Sequence, residues 1–75
     1  MKFNIAYNKP NSFFKDKKAV LLQDLSNGLG EVLKTGTEVT ILKRSTGLKI
    51  YFDIVEDSSR IFMYRCVYEC LELKK

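Results

Sequence analysis

The 75-residue chain has no histidine, no tryptophan, a single proline and only two cysteines. Without histidine, the usual general base at neutral pH and the commonest metal ligand are both missing. A serine or cysteine nucleophile would have to use a lysine or a carboxylate as its base. The acids Asp53, Glu56 and Asp57 lie close together in sequence but flank an expected turn, where solvation accounts for them. Cys66 and Cys70 cannot complete a structural zinc site, which needs about four ligands. Four residues of strand would hold the two sulfurs about 13 Å apart, too far for a disulfide, and a helical turn would bring them closer. Two buried structural thiols are the expectation. The glycines 28, 30, 36 and 47 are scattered over turns and form no phosphate loop. Taken together these absences predict a protein that is not an enzyme and holds no cofactor or metal.

Long hydrophobic runs are also missing. None reaches the roughly 18 residues needed to cross a bilayer. The opening "MKFNIAYNKP" lacks the apolar stretch of about 7–15 residues that a signal peptide requires. A cytoplasmic location with reduced cysteines and no membrane partner is therefore expected.

What is present is a globular composition, 45% hydrophobic and 29% charged, in a chain too short for a second core. Residues 1–18 form an N-terminal strand or arm: Phe3, Ile5 and Tyr7 alternate, and the chain then breaks at Pro10 and turns basic. Residues 19–75 read as the domain proper. "AVLLQDL" is an apolar strand, Asn27-Gly28 a turn, and Gly36 a bend that leads into a strand with Val39 and Ile41 on one face. "RSTG" closes a hairpin at Gly47. In the return strand Leu48, Ile50, Phe52 and Ile54 point one way, and Lys49, Tyr51 and Asp53 the other. A polar turn follows from Glu56 to Ser59. "RIFMYRCV" then reads as a strand with apolar residues on both faces, followed by one helical turn at "VYEC" and a last short strand, "LEL". A single helix from Ile61 to Leu73 competes with that reading, but its aromatic and β-branched residues make it a poor helix. The predicted core is Val20, Leu22, Val39, Ile41, Ile50, Phe52 and Ile54.

This order of elements resembles the Src-homology-3-like small β-barrels over Ala19 to Leu73: an opening strand, a long irregular loop around Asn27 and Gly30, a turn at "LKTGTEVTIL", a central hairpin, a penultimate strand, a single helical turn and a terminal strand. The resemblance implies an all-β fold of five to six strands with one short helical turn near the C-terminus. It does not extend to recognition of proline-rich peptides, because the first strand lacks the aromatic residues, the central hairpin lacks the tryptophan and no proline precedes the helical turn. What remains is similar to the small barrels that serve as bacterial or phage accessory proteins.

The net charge is +4, with ten lysines among thirteen basic residues, so only Arg44, Arg60 and Arg65 offer a planar guanidinium for phosphate. The central hairpin is the candidate partner-binding element, and the alternative is a solvated tip whose charges prevent edge-to-edge pairing. Lys43 and Arg44 end one strand, Lys49 begins the next, and Tyr51 shares a face with Lys49. Lys15, Lys17 and Lys18 beside Phe13 and Phe14 extend that patch if the N-terminal arm folds toward it. Tyr7, Phe13, Phe14, Tyr51 and Tyr68 exceed what a core of this size absorbs, and aromatics favour interfaces. The expected function is binding, with a protein partner or a homo-oligomer ranked above nucleic acid.

Overall fold

The computed structural model describes residues 1–26, 28–58 and 61–74. The turn expected at Asn27, the end of the polar turn at Ser59, and Arg60 lie outside the described residues. Two short helices, α1 (Phe3–Asn8) and α2 (Asn11–Phe14), precede β1 (Lys18–Leu21), β2 (Leu25–Ser26), β3 (Val32–Leu33), β4 (Glu38–Thr46), β5 (Ile50–Glu56) and β6 (Met63–Val67). A 3-10 turn, Tyr68–Cys70, then leads into β7 (Leu71–Leu73). The helical turn and the terminal strand thus fall where the sequence places them, and the long helix from Ile61 does not form.

The chain is mostly β, as expected, but the sheet is open among the described residues and not a closed barrel. Five antiparallel strands run in the order β6-β5-β4-β1-β7, and β2 pairs with β3 in a separate ribbon. The strands at the two edges, β6 and β7, are joined through the 3-10 turn instead of pairing with each other. The ribbon's β2 packs against β6, and α1 packs against the 3-10 turn. At the foot of the ribbon the Asp24 carboxylate accepts from the Thr35 N–H at 2.8 Å and from the Thr35 hydroxyl at 3.0 Å.

Alternation in β5 places its apolar side in the core as the pattern demands, but the other side is not simply exposed, since Asp53 and Val55 are buried there. Ile50, Phe52 and Ile54 are buried with Val39 and Ile41 of β4, and Tyr64 and Cys66 of β6 sit opposite Ile54 and Phe52. The opening strand corrects two predicted core residues. Val20 is only half-buried and Leu22 is exposed, while Ala19 and Leu21 fill the core. An unbroken apolar run carries no alternation, so pairing sets the phase: Ala19 lies opposite Val39 and Leu73, and Leu21 opposite Leu71. Leu48 is also displaced from the expected core face, because it lies in the hairpin loop and is fully exposed. In β6 only one face is covered: Tyr64 and Cys66 are buried, whereas Met63 and Arg65 are exposed.

The N-terminal segment, expected as a strand or an arm, is helical over Phe3–Asn8 and Asn11–Phe14. Residues four apart share a side in a strand and in a helix alike, so Phe3 and Tyr7 satisfy both patterns. In the helix their rings stack at 5.4 Å between centroids. A helix of six residues has little stability alone. Ala6 anchors it in the core, and α2 buries Phe14 edge-on against Phe52 at 4.8 Å. The segment is therefore part of the packed domain.

Candidate functional site

Two surfaces bear chemistry. The first is a groove of about 450 Å³ between α1, the β4–β5 loop and the 3-10 turn. Its walls are Phe3 and Tyr7 from the helix, Gly47 and Leu48 from the loop, and Val67 and Tyr68 from the end of β6 and the turn. Phe3 also meets Tyr68 edge-to-face at 5.9 Å, so three rings form one continuous cluster. Phe3 and Tyr7 nonetheless remain 55% and 62% exposed, which is costly for aromatic surface on so small a domain. The charged residues on the lining are Lys49 and Glu69, one of each sign.

The second surface is the outer face of β4, β5 and β6. Asp53 is buried there, with 1% of its surface exposed, and accepts from Arg65 Nε at 3.0 Å through Oδ1. Its Oδ2 has no hydrogen-bond partner and lies 3.9 Å from Lys43 Nζ. The two cations are Asp53's cross-strand neighbours on either side, Lys43 in β4 and Arg65 in β6. The bond to Asp53, and behind it the carboxylate's charge, raises the Arg65 pKa above its ordinary value. Farther along the same face, the Thr40 hydroxyl donates to Asp57, which also receives Lys18 Nζ at 3.2 Å.

The structure separates the hairpin residues that the sequence groups together. A β-bulge between Ile41 and Lys43 inserts Leu42 as an extra residue, so the period-2 phase of β4 shifts by one. Lys43 consequently faces outward opposite Asp53, and Arg44 turns to the core side opposite Phe52. Arg44 is spent on structure. Its Nη1 donates to the carbonyls of Ala6 at 2.8 Å and Tyr7 at 3.3 Å and to that of Lys9, and its guanidinium stands 5.7 Å from the Phe14 ring centre. Phe14 is fully buried. Phe13 is half-buried, with Lys9 and Lys17 Nζ at 5.2 and 4.7 Å from its ring centre. Lys49 lines the groove, while Tyr51 is half-buried on the outer face between Ser45 and Val67. Both cysteines are buried, as expected; burial pushes the Cys66 thiol up to about 12, and Gln23 donates to Cys70 Sγ.

Phe3 and Leu48 have no place in the surface that the sequence predicts, and Arg65, one of the three guanidinium groups the sequence offers, gains its place only through Asp53. The four-residue spacing of Phe3 and Tyr7 was a visible signal, and so was Asp53 on the polar side of β5, which calls for cations on both neighbouring strands. Nothing in the sequence located Leu48 in the loop.

No family model, curated protein or solved structure matches the chain. Among the described residues no cluster of potential ligands could hold a metal ion, and no helix is long and apolar enough to cross a membrane.

Proposed function

We propose that the protein is a non-catalytic binding module of the Src-homology-3-like small-barrel type, and that its groove takes an apolar segment of a partner protein. One observation carries this reading: the cluster of Phe3, Tyr7 and Tyr68 holds its rings in fixed mutual contact while leaving much of their surface open. Rigid aromatic surface is what interface centres use, since little side-chain freedom is lost on binding. With Lys49 and Glu69 both on the lining, the groove has no net charge to attract a polyanion, and Glu69 repels phosphate. An apolar peptide segment of low net charge fits it best. The strand order, with a 3-10 turn between the last two strands, supports the fold assignment.

Selection of a random peptide library against the intact protein, followed by amide shift mapping with the selected peptides, tests the reading. Enriched apolar peptides should perturb Phe3, Tyr7, Leu48, Val67 and Tyr68, and Leu48→Asp should abolish binding without loss of fold, because Leu48 is fully exposed. Selection that yields no apolar consensus, or shifts confined to another face, would refute it.

A second reading, a subunit that self-associates, rests on Ile61 and Phe62, just before the edge strand β6, and on Met63 at its start, all three exposed. Sedimentation equilibrium distinguishes it: a monomer at about 100 μM removes this reading and leaves the groove untouched.

A further inference from the structure

The outer face of the sheet has a chemistry that the groove does not use. We propose that it binds single-stranded nucleic acid, with phosphates held by Lys15, Lys43 and Arg65 and a base laid on Tyr51. The site is independent of the groove.

The spacing of the cations is built in. Lys43 and Arg65 flank β5 on either side of Asp53, so they stand roughly two inter-strand distances, about 10 Å, apart at the backbone. Asp53 lies beneath them, buried, and ties Arg65 through Nε alone. The terminal nitrogens of Arg65 have no other partner among the described residues, and 57% of the side chain is exposed, which leaves the planar edge that suits a phosphate.

The N-terminal segment completes the face. Lys15 and Lys43 line one pocket of about 320 Å³ together with Asn11, Ser12 and Leu42. Every polar side chain there is a donor or can act as one. Asn11 Oδ1 is already occupied by the Arg44 N–H at 2.8 Å, which leaves its amide N–H groups available. No carboxylate lines that pocket. From it the track continues past Lys43 to Arg65, and Tyr51, two residues from Asp53 on the same face of β5, is the diagonal cross-strand neighbour of Arg65. Tyr51 pairs with Ser45 and Val67, so its ring has small or apolar neighbours across both strands. Cations that alternate with an aromatic ring hold a single strand by charge and stacking without reading its sequence. An acidic peptide without aromatic residues could satisfy the cations, but it has no ring to stack on Tyr51, whereas every nucleotide brings both a phosphate and a base.

Fluorescence anisotropy of a labelled 20-nucleotide oligo(dT) on the full chain tests this. Three phosphate contacts predict a log-log salt slope near −2, so affinity should fall roughly 20-fold from 50 to 200 mM salt. Lys15→Gln with Lys43→Gln should reduce the slope by about 1.4, since each contact contributes about 0.7. Both side chains are exposed, so the fold is expected to survive. Tyr51→Leu should weaken binding at least about 5-fold, the lower end of what one stacked base contributes. Phe3→Ala, in the groove, should leave oligo(dT) binding unchanged even if it abolishes peptide binding, and that separates this site from the groove. Absence of salt-dependent binding at 50 mM would overturn the proposal. So would a 20-residue polyglutamate that binds as tightly as oligo(dT) and ignores Tyr51→Leu, because the face would then be a general attractor of anions.

Discussion

Arg44 Nη1 donates to the Ala6 carbonyl at 2.8 Å, from the middle of a strand to the end of a helix 38 residues earlier. The same nitrogen reaches the carbonyls of Tyr7 and Lys9, so one guanidinium caps two carbonyls in the last turn of α1 and the one just beyond it. Arg44→Ala should therefore act on stability and not on binding. The expected loss is about 1.5–3 kcal/mol, typical of hydrogen bonds made by a charged group. Arg44→Lys should recover only part of it, because a single ammonium cannot reproduce the planar fork. Urea unfolding measures both, and limited proteolysis should show residues 1–15 becoming susceptible first. Wild-type stability in Arg44→Ala would mean that the N-terminal helices are held by packing alone.

Adjacent phenylalanines in α2 should respond very differently to truncation. Phe14 is fully buried against Phe52, so Phe14→Ala should cost about 3–5 kcal/mol and threaten the fold. Phe13 is half-buried beneath the lysine ammonium groups, and Phe13→Ala should cost only about 1 kcal/mol. Equal shifts in thermal midpoint would contradict the placement of these two side chains.

Alkaline pH should destabilise the fold. Burial holds the Cys66 thiol protonated in the native state up to about 12, against an ordinary value near 9.0. Between those values the native state binds more protons than the unfolded chain, so stability is complete below about pH 9 and falls as pH rises toward 12. Tyr64 acts in the same direction, since burial and then the charges of Glu31 and Glu56 raise its hydroxyl pKa. Denaturation midpoints from pH 8 to 11 should decline in the wild type and more shallowly in Cys66→Ala. Adding Tyr64→Phe should flatten the profile further. An unchanged slope in the double variant would exclude these groups as its cause.

Gly36 adopts φ of 90°, and its N–H donates to the Leu21 carbonyl at 2.8 Å where the chain turns into β4. An added Cβ would meet no atom within 4 Å, so any cost of Gly36→Ala is one of backbone conformation and not of collision. The expected loss is about 1–2 kcal/mol in chemical denaturation. Gly36→Asn should lose less, because asparagine enters the left-handed region more readily. A neutral Gly36→Ala would show that the turn relaxes to negative φ.

The chain's local pattern determined whatever depends on a short repeating signal. The alternation of Ile50, Phe52 and Ile54 was enough to assign β5 and its core-facing side, and the change of pattern after Val67 was enough to place a helical turn before β7. Local pattern failed wherever it was degenerate. "AVLLQDL" has no alternation, and only pairing with β4 and β7 selected Ala19 and Leu21 over Val20 and Leu22. Phe3 and Tyr7 suit a helix and a strand equally, and the choice fell to Ala6 in the core and Arg44 at the helix end. The bulge at Leu42 had the largest consequence. By adding one residue to β4 it sent Lys43 to the solvent face and Arg44 to the core side, dissolving one expected basic cluster and setting Lys43 beside Lys15 and, across Asp53, opposite Arg65. A bulge shifts the phase of a strand relative to its partner, and that offset is a property of the pair, which neither strand's sequence contains by itself.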